Sequence, residues 1–159
     1  MQFSIQREAL LKPLQQVIGV VERRQTLPVL ANLLVKVGDG KVSLTGTDLE
    51  VEMVASTSAE KLADGEITIP ARKLFDIVRA LPDGAQIDLK LNGDRVALNA
   101  GRSRFTLTTL AASEFPTFDE IELVETVSLP EQFLPDLMEH TSFAMANQDV
   151  RYYLGGLLL

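Results

Sequence analysis

The side chains of this chain whose types and spacing could do chemistry are a few cations, one tyrosine pair and a run of carboxylates. Arg23-Arg24 stands in VERRQTLPVL, followed by the stiff segment Thr26-Leu27-Pro28. Arg72-Lys73 follows Pro70-Ala71 at a predicted helix start. Free backbone N–H groups and the helix dipole already favour anions there, so cations work against the dipole. An anionic partner such as phosphate explains them; solvated surface charge is the competing explanation. Tyr152 and Tyr153, the only tyrosines, lie beside Gln148 and Arg151. Such a pair can stack on bases or touch sugar–phosphate, unless one of them is a core residue. Asp48, Glu50 and Glu52 alternate in TGTDLEVEMV. Three carboxylates on one strand face could hold Mg²⁺ or Ca²⁺, although a solvated face opposite Leu49, Val51 and Met53 accounts for them as well.

Other chemistries find no residues. There is no cysteine, which removes disulfides, thiolate zinc sites and thiol nucleophiles, and the single histidine, His140, has no second imidazole to share a metal. The glycines of VGDG and NGD suit hairpins and lack the strand-to-helix order of a phosphate loop. No catalytic motif occurs, so neither an enzyme nor a cofactor is expected. MQFSIQREAL reads as neither a signal nor a transit peptide, and apolar runs stop at four residues, which predicts a cytoplasmic protein. The net charge of −7 speaks against a basic coat, but its distribution is uneven. Residues 1–104 hold 14 Lys/Arg against 13 Asp/Glu, whereas 105–150 hold nine acids and no Lys or Arg. Local basic sites on an acidic body remain possible, DNA-binding ones included.

The elements that must position these residues come from an internal repeat. Strand-like Phe3-Ser4-Ile5 has a counterpart in Ile67-Thr68-Ile69, an offset of 64, and each precedes a stretch with helical apolar spacing. Leu10, Leu14, Val17, Ile18 and Val21 carry the first stretch; Leu74, Val78 and Leu81 carry the second. Beyond the helices the offset is 54: Val35-Lys36-Val37 matches Leu89-Lys90-Leu91, Val42 matches Val96, Leu44 matches Leu98, Val51 matches Phe105 and Met53 matches Leu107. Each copy reads as strand, helix and a three-strand meander, and only the first carries ten extra residues, between Val20 and Leu30. A third copy starts at an offset of 124, with Val127-Ser128-Leu129 as its strand, Leu134 and Met138 on its helix, and Leu154 matching Leu30. Gln148 then occupies the place of Arg24. The expectation is an α+β protein of two β-α-β-β-β repeats per domain, paired helices on one face and antiparallel sheets outside. Its first domain spans 1–123, with repeats 1–62 and 63–110 and a linker from Leu110 to Leu123; 124–159 begins a second. In the second helix Ile77 falls off the buried stripe, near Lys73, and Arg95, Arg102, Arg104 and Phe105 belong to the same repeat. An apolar pair ringed by cations suits an interface with an acidic surface.

LLKPLQQV, TLPVLANLL, LTGTDLEVEMVA, PARKLFDI, GRSRFTL and QDVRYYLGG occur in this order. With them the chain resembles, over its whole length, the bacterial replicative sliding clamps, the β subunits of DNA polymerase III. The resemblance implies a DNA clamp fold of three such domains per protomer. Two protomers close head to tail around duplex DNA and tether the polymerase without any catalysis of their own. It implies that Arg24, Arg72, Gln148, Tyr152 and Tyr153 contact DNA without sequence specificity. Lys73, Ile77, Arg95, Arg102, Arg104 and Phe105 would dock on the third domain of the second protomer. Leu154 would form one wall of the pocket for polymerase and clamp-loader peptides. The chain is expected to be an N-terminal portion, unable to close a ring by itself. A standalone interaction module, or a clamp competitor presenting the Phe105 face, is the other expectation.

Overall fold

The computed structural model describes residues 1–21, 27–118, 126–146 and 150–158, and only the backbone at 61, 62 and 152. The chain forms two compact units, Met1–Asp119 and Glu120–Leu159. In the first, β1 (Gln2–Gln6) leads into α1 (Arg7–Val17), a 3₁₀ turn (Pro28–Ala31) and four strands: β2 (Asn32–Gly38), β3 (Lys41–Thr47), β4 (Glu52–Ser58) and β5 (Glu60–Ala63). The second repeat supplies β6 (Gly65–Pro70), α2 (Ala71–Ala80), β7 (Gln86–Asn92), β8 (Arg95–Ala100) and β9 (Ser103–Thr108). The architecture is α+β, with two antiparallel sheets ordered β5-β1-β7-β8-β9 and β4-β3-β2-β6.

The two repeats exchange their first strands. β1 lies beside β7 of the second repeat, with Phe3 opposite Leu89 and Ile5 opposite Ile87. β6 lies beside β2 of the first, with Ile67 opposite Val35 and Ile69 opposite Leu33. The offsets of 64 and 54 convert one register into the other, so the pseudo-twofold relation holds residue by residue. Alternate strand residues from both sheets meet Leu10, Leu14 and Val17 of α1 and Leu74 and Val78 of α2 in a single core. Burying side chains of this size stabilises by roughly 1.5–3 kcal/mol each. The first hairpin, Gly38 to Lys41, places Asp39 and Gly40 at φ +53° and +75°, the left-handed pair that a two-residue turn needs.

Three expectations need correction. The offset of 54 fails at the last strand. Leu98 faces Phe105, but Leu44 faces Ala55, so the counterpart of Phe105 is Ala55 and not Val51. The chain from Leu44 to Ala55 is four residues longer than that from Leu98 to Phe105, and the alternation of Leu49, Val51 and Met53 runs through it unbroken, which hid the gap. Asp48–Val51 is therefore a loop. Asp48 Oδ1 accepts the N–H groups of Glu50 at 2.9 Å and Val51 at 2.7 Å, which holds its carboxyl below the usual aspartate range. Secondly, the linker does not begin at Leu110. Leu110 bridges Thr68 on the open edge of β6, and Phe115 is buried against Val29 and Leu30. Thirdly, Val127–Leu129 is not a strand. In the first repeat that position gains its partners from residues 60–63 and 86–92, and Val127–Leu129 has no such strand beside it among the described residues.

The second unit contains α3 (Phe133–Ser142) and a 3₁₀ turn at Tyr152–Gly155, the counterpart of Pro28–Ala31 at the expected offset of 124. Leu134, Leu137 and Met138 on α3 are exposed; with Val127, Leu129, Leu157 and Leu158 they line an apolar groove of about 460 Å³. Among the described residues no helix is long and apolar enough to cross a membrane.

Candidate nucleic-acid and protomer interfaces

α2 starts after Pro70 without a side-chain cap and without an acid in its first turn. Its first turn instead carries Arg72 and Lys73, both exposed. Arg72 has an internal partner that charge reasoning did not foresee: its Nη2 donates to the carbonyl of Val21 at 2.7 Å, just past the end of α1. The opposite end of the helix pair repeats the device. Arg7, at the start of α1, donates Nε to the carbonyl of Val78 at 3.1 Å and Nη2 to that of Arg79 at 3.0 Å. Each helix start thus holds main-chain carbonyls at, or a few residues past, the far end of the other helix, where carbonyls outnumber their helical donors.

The two clasps differ in charge balance. Arg7 is neutralised by Asp83 at 2.6 Å and Glu8 at 3.1 Å, and Arg79 pairs with Asp76 at 3.0 Å while lying over the Phe75 ring. Among the described residues, Arg72, Lys73, Arg95, Arg102 and Arg104 carry no ion pair.

Of the other nucleic-acid candidates, Arg24 and Gln148 lie outside the described residues, as does the side chain of Tyr152. Tyr153 is in the second unit and 75% exposed, in the turn Tyr152–Gly155. It is not a core tyrosine. Leu154 of the same turn is half-buried, whereas its counterpart Leu30 is fully buried beside Phe115.

The protomer-face candidates gather on α2 and on the β8–β9 hairpin, but not on one surface. Lys73 and Ile77 stand one turn apart on α2, and Ile77 is half-buried at the margin of the core. Arg95 and Arg104 share the outer face of the five-stranded sheet, opposite Thr108 and Asn99. Phe105 points to the inner face and is half-buried, and Arg102 sits in the hairpin turn. β9 is an edge strand with one side free for pairing. α1 packs along β4, while the pseudo-symmetric pair of α2 and β9 makes no comparable approach. The margin carrying Ile77 and Phe105 therefore stays open.

The carboxylate run does not form a metal site. Asp48 is occupied by its own loop, Glu52 Oε2 accepts the N–H of Phe118 at 3.2 Å, and no metal-type cluster exists among the described residues. His140, exposed on α3, has Nδ1 2.7 Å from the carbonyl oxygen of Asp136 one turn earlier. The Arg7 clasp escaped the sequence reading, because its partners lie 71 and 72 residues away and leave no spacing signal.

Comparison with known proteins bears on the fold and the family. The family described as DNA polymerase III beta subunit, N-terminal domain, matches residues 1–119. The beta sliding clamp of Pseudomonas putida is 59% identical over all of this chain and 44% of its own length. That of Escherichia coli K12 is 52% identical over 99% of this chain and 43% of its own. The crystal structure of the DNA polymerase III subunit beta from Pseudomonas aeruginosa superimposes with a TM-score of 0.94 at 56% identity, covering 98% of this chain and 43% of that one. Caulobacter crescentus pol III beta gives 0.92 at 40% identity, covering 98% and 42%. The chain has the DNA clamp fold, spans a little under half the length of these relatives, and belongs to the DNA polymerase III beta subunit family, the beta sliding clamps.

Proposed function

We propose that this chain is the N-terminal portion of a cytoplasmic clamp that encircles duplex DNA and keeps a replicative polymerase on its template. The observation that carries this reading is the division of the arginines. Those with carboxylate partners, Arg7 and Arg79, are spent within the fold; Arg72, Arg95, Arg102 and Arg104 keep their charge for something outside it. A clamp needs two such surfaces, one for phosphate and one for the next protomer.

On the DNA side, Arg72 with Arg24 and Gln148 meets phosphates, and Tyr152 and Tyr153 meet sugar or base faces. None of these contacts reads a base edge, so binding is sequence-independent and the barrier to sliding low. On the protomer side, the free edge of β9 offers main-chain pairing, Phe105 and Ile77 offer apolar contact, and the surrounding cations select an acidic partner surface. That surface is assigned to the third domain of a second protomer. Leu154 contributes to the peptide pocket for polymerase and clamp loader. The role is topological tethering at high effective concentration, with no bond made or broken and no cofactor.

The test is duplex affinity at low ionic strength, using two 30-base-pair duplexes of unrelated sequence. Equal affinities are expected. Arg24→Ala with Arg72→Ala should weaken both alike and flatten the dependence of log K on log salt by about two phosphate contacts, a slope change of about 1.8. Unchanged affinity in the double variant overturns the assignment of those residues.

A further inference from the structure

The pseudo-twofold relation breaks at one place on the open edge of β6. From Ala55 and Phe105 onward the offset between the repeats is 50, so the counterpart of Glu60, which opens β5, is Leu110. Ser4 faces Glu60 and its counterpart Thr68 faces Leu110, as the symmetry requires. β5 then continues beside β1 to Ala63, whereas the chain after Leu110 leaves β6 at once. It turns through Ala112–Glu114 and buries Phe115 against Val29 and Leu30, with Leu34 and Leu110 at the margin. This cluster is separate from the main core.

Three sets of hydrogen bonds hold residues 109–118 in place. Thr109 gives its N–H and its hydroxyl to the Asp94 carbonyl, at 3.0 and 2.7 Å. The Thr68 hydroxyl, fully buried, uses its one donor and both acceptor positions. It donates to the Leu110 carbonyl at 2.9 Å and accepts from the Leu110 N–H at 3.2 Å and from Asn32 Nδ2 at 2.8 Å. The Phe118 N–H reaches Glu52 Oε2 at 3.2 Å. A segment with one bridge in place of a strand, and a small cluster in place of the core, has few contacts to lose on leaving. We propose that residues 109–118 are a latch, closed in this structure, that opens as one piece while the main core stays folded. Opening bares the edge of β6, whose N–H and C=O groups can then pair with another strand, and frees the turn Pro28–Ala31 from Phe115. The latch couples the chain that leaves β9 to the turn that leads into β2, because both are seated on the same phenyl ring. This inference stands apart from the DNA reading.

Hydrogen exchange of the full 159-residue chain, followed amide by amide in low urea, tests the latch. The N–H groups of Leu30, Thr68, Leu110 and Phe115 are all bonded within the latch or its seat. These four are expected to share one opening whose urea dependence is smaller than that of Leu89 and Leu98 in the core, because less surface is exposed. In Phe115→Ala the latch amides should lose their protection while Leu89 and Leu98 stay slower than them by about a hundredfold or more. Four amides that follow the urea dependence of Leu89 and Leu98 overturn the latch, as does loss of protection throughout Phe115→Ala. Separate openings for the four overturn its movement as one piece. Thr68 and Leu110 amides without protection in the unmodified chain overturn the closed state.

Discussion

Arg7 shows how much of this fold hangs on one side chain. It is 13% exposed and reaches two helix-end carbonyls and two carboxylates. The ion pair with Asp83, 94% exposed, adds little in water. The bonds to the carbonyls of Val78 and Arg79 are another matter, because the first is partly buried and both tie the start of α1 to the end of α2. Arg7→Met is therefore expected to cost about 2–3 kcal/mol in urea denaturation, and Asp83→Asn well under 1 kcal/mol. The reverse ranking would place the stabilisation in the ion pair. Beside it, the N–H of Gly84 is the main cause that holds Glu8 below its ordinary 4.5, with Arg7 a lesser one. A depressed carboxylate contributes stability above its unfolded value and loses it as pH falls through the folded one. Glu8→Gln should thus be less stable than the parent at neutral pH, and the gap should close as pH falls below the ordinary glutamate value; a gap that widens with acid would rule out this linkage. The sequence made the exposed cations legible because their position against a helix dipole was anomalous. It could not show the clasps, whose partners are main-chain carbonyls far along the chain.

At the scale of elements, the repeat was readable to the residue and the exchange of strands was not. Offsets of 64 and 54 reproduce the registers of β1 on β7 and of β6 on β2. Alternation in Phe3–Ile5, however, identifies a strand and a buried face without naming its neighbour. The same blindness produced the error at β4, where an alternating loop passed for a strand. Leu49 in that loop sits at φ +79° and is 48% exposed, held by bonds from Thr47 and Asp48 to its neighbours. Leu49→Asn, which tolerates that backbone, is expected to leave stability equal or raised by up to about 1 kcal/mol. A clear loss would mean that the leucine side chain, and not the loop's hydrogen bonds, holds the conformation. The exchange itself predicts that residues 1–62 cannot fold alone, since β1 and β2 then each lose a neighbour supplied by the second repeat. Circular dichroism should show no cooperative melt for 1–62 or for 63–118 separately, and one should appear on mixing. A cooperative melt of 1–62 alone would contradict the interdependence.

For the whole molecule the question is whether two copies of this chain associate, and charge answers for one face and apolar exposure for the other. Cations flank the margin between α2 and β9: Lys73 on α2, Arg102 in the β8–β9 turn, and Arg95 and Arg104 on the outer face of the sheet, none with an ion pair among the described residues. Two such faces brought together set like charges opposite one another, which costs several kcal/mol. Pairing of β9 with its own copy is disfavoured in the same way, as edge cations commonly ensure. The first unit should therefore not dimerise through this surface. The second unit carries an exposed apolar surface instead. Leu134, Leu137 and Met138 are about half exposed on α3, beside Val127 and Leu129. Acids at Glu131, Asp136 and Glu139 on or next to the same helix oppose close approach of two copies. Light scattering across a concentration series is expected to give a mass near 17.5 kDa at micromolar concentration and low salt. Raising the salt screens the acids, so any association should grow with ionic strength and disappear in Leu137→Glu. A dimer strongest at low salt, dissolved by Arg104→Glu but not by Leu137→Glu, would mean that the cationic face finds its acidic complement on this same chain. The docking assignment of Phe105 and its neighbours would then have to be redrawn within these 159 residues.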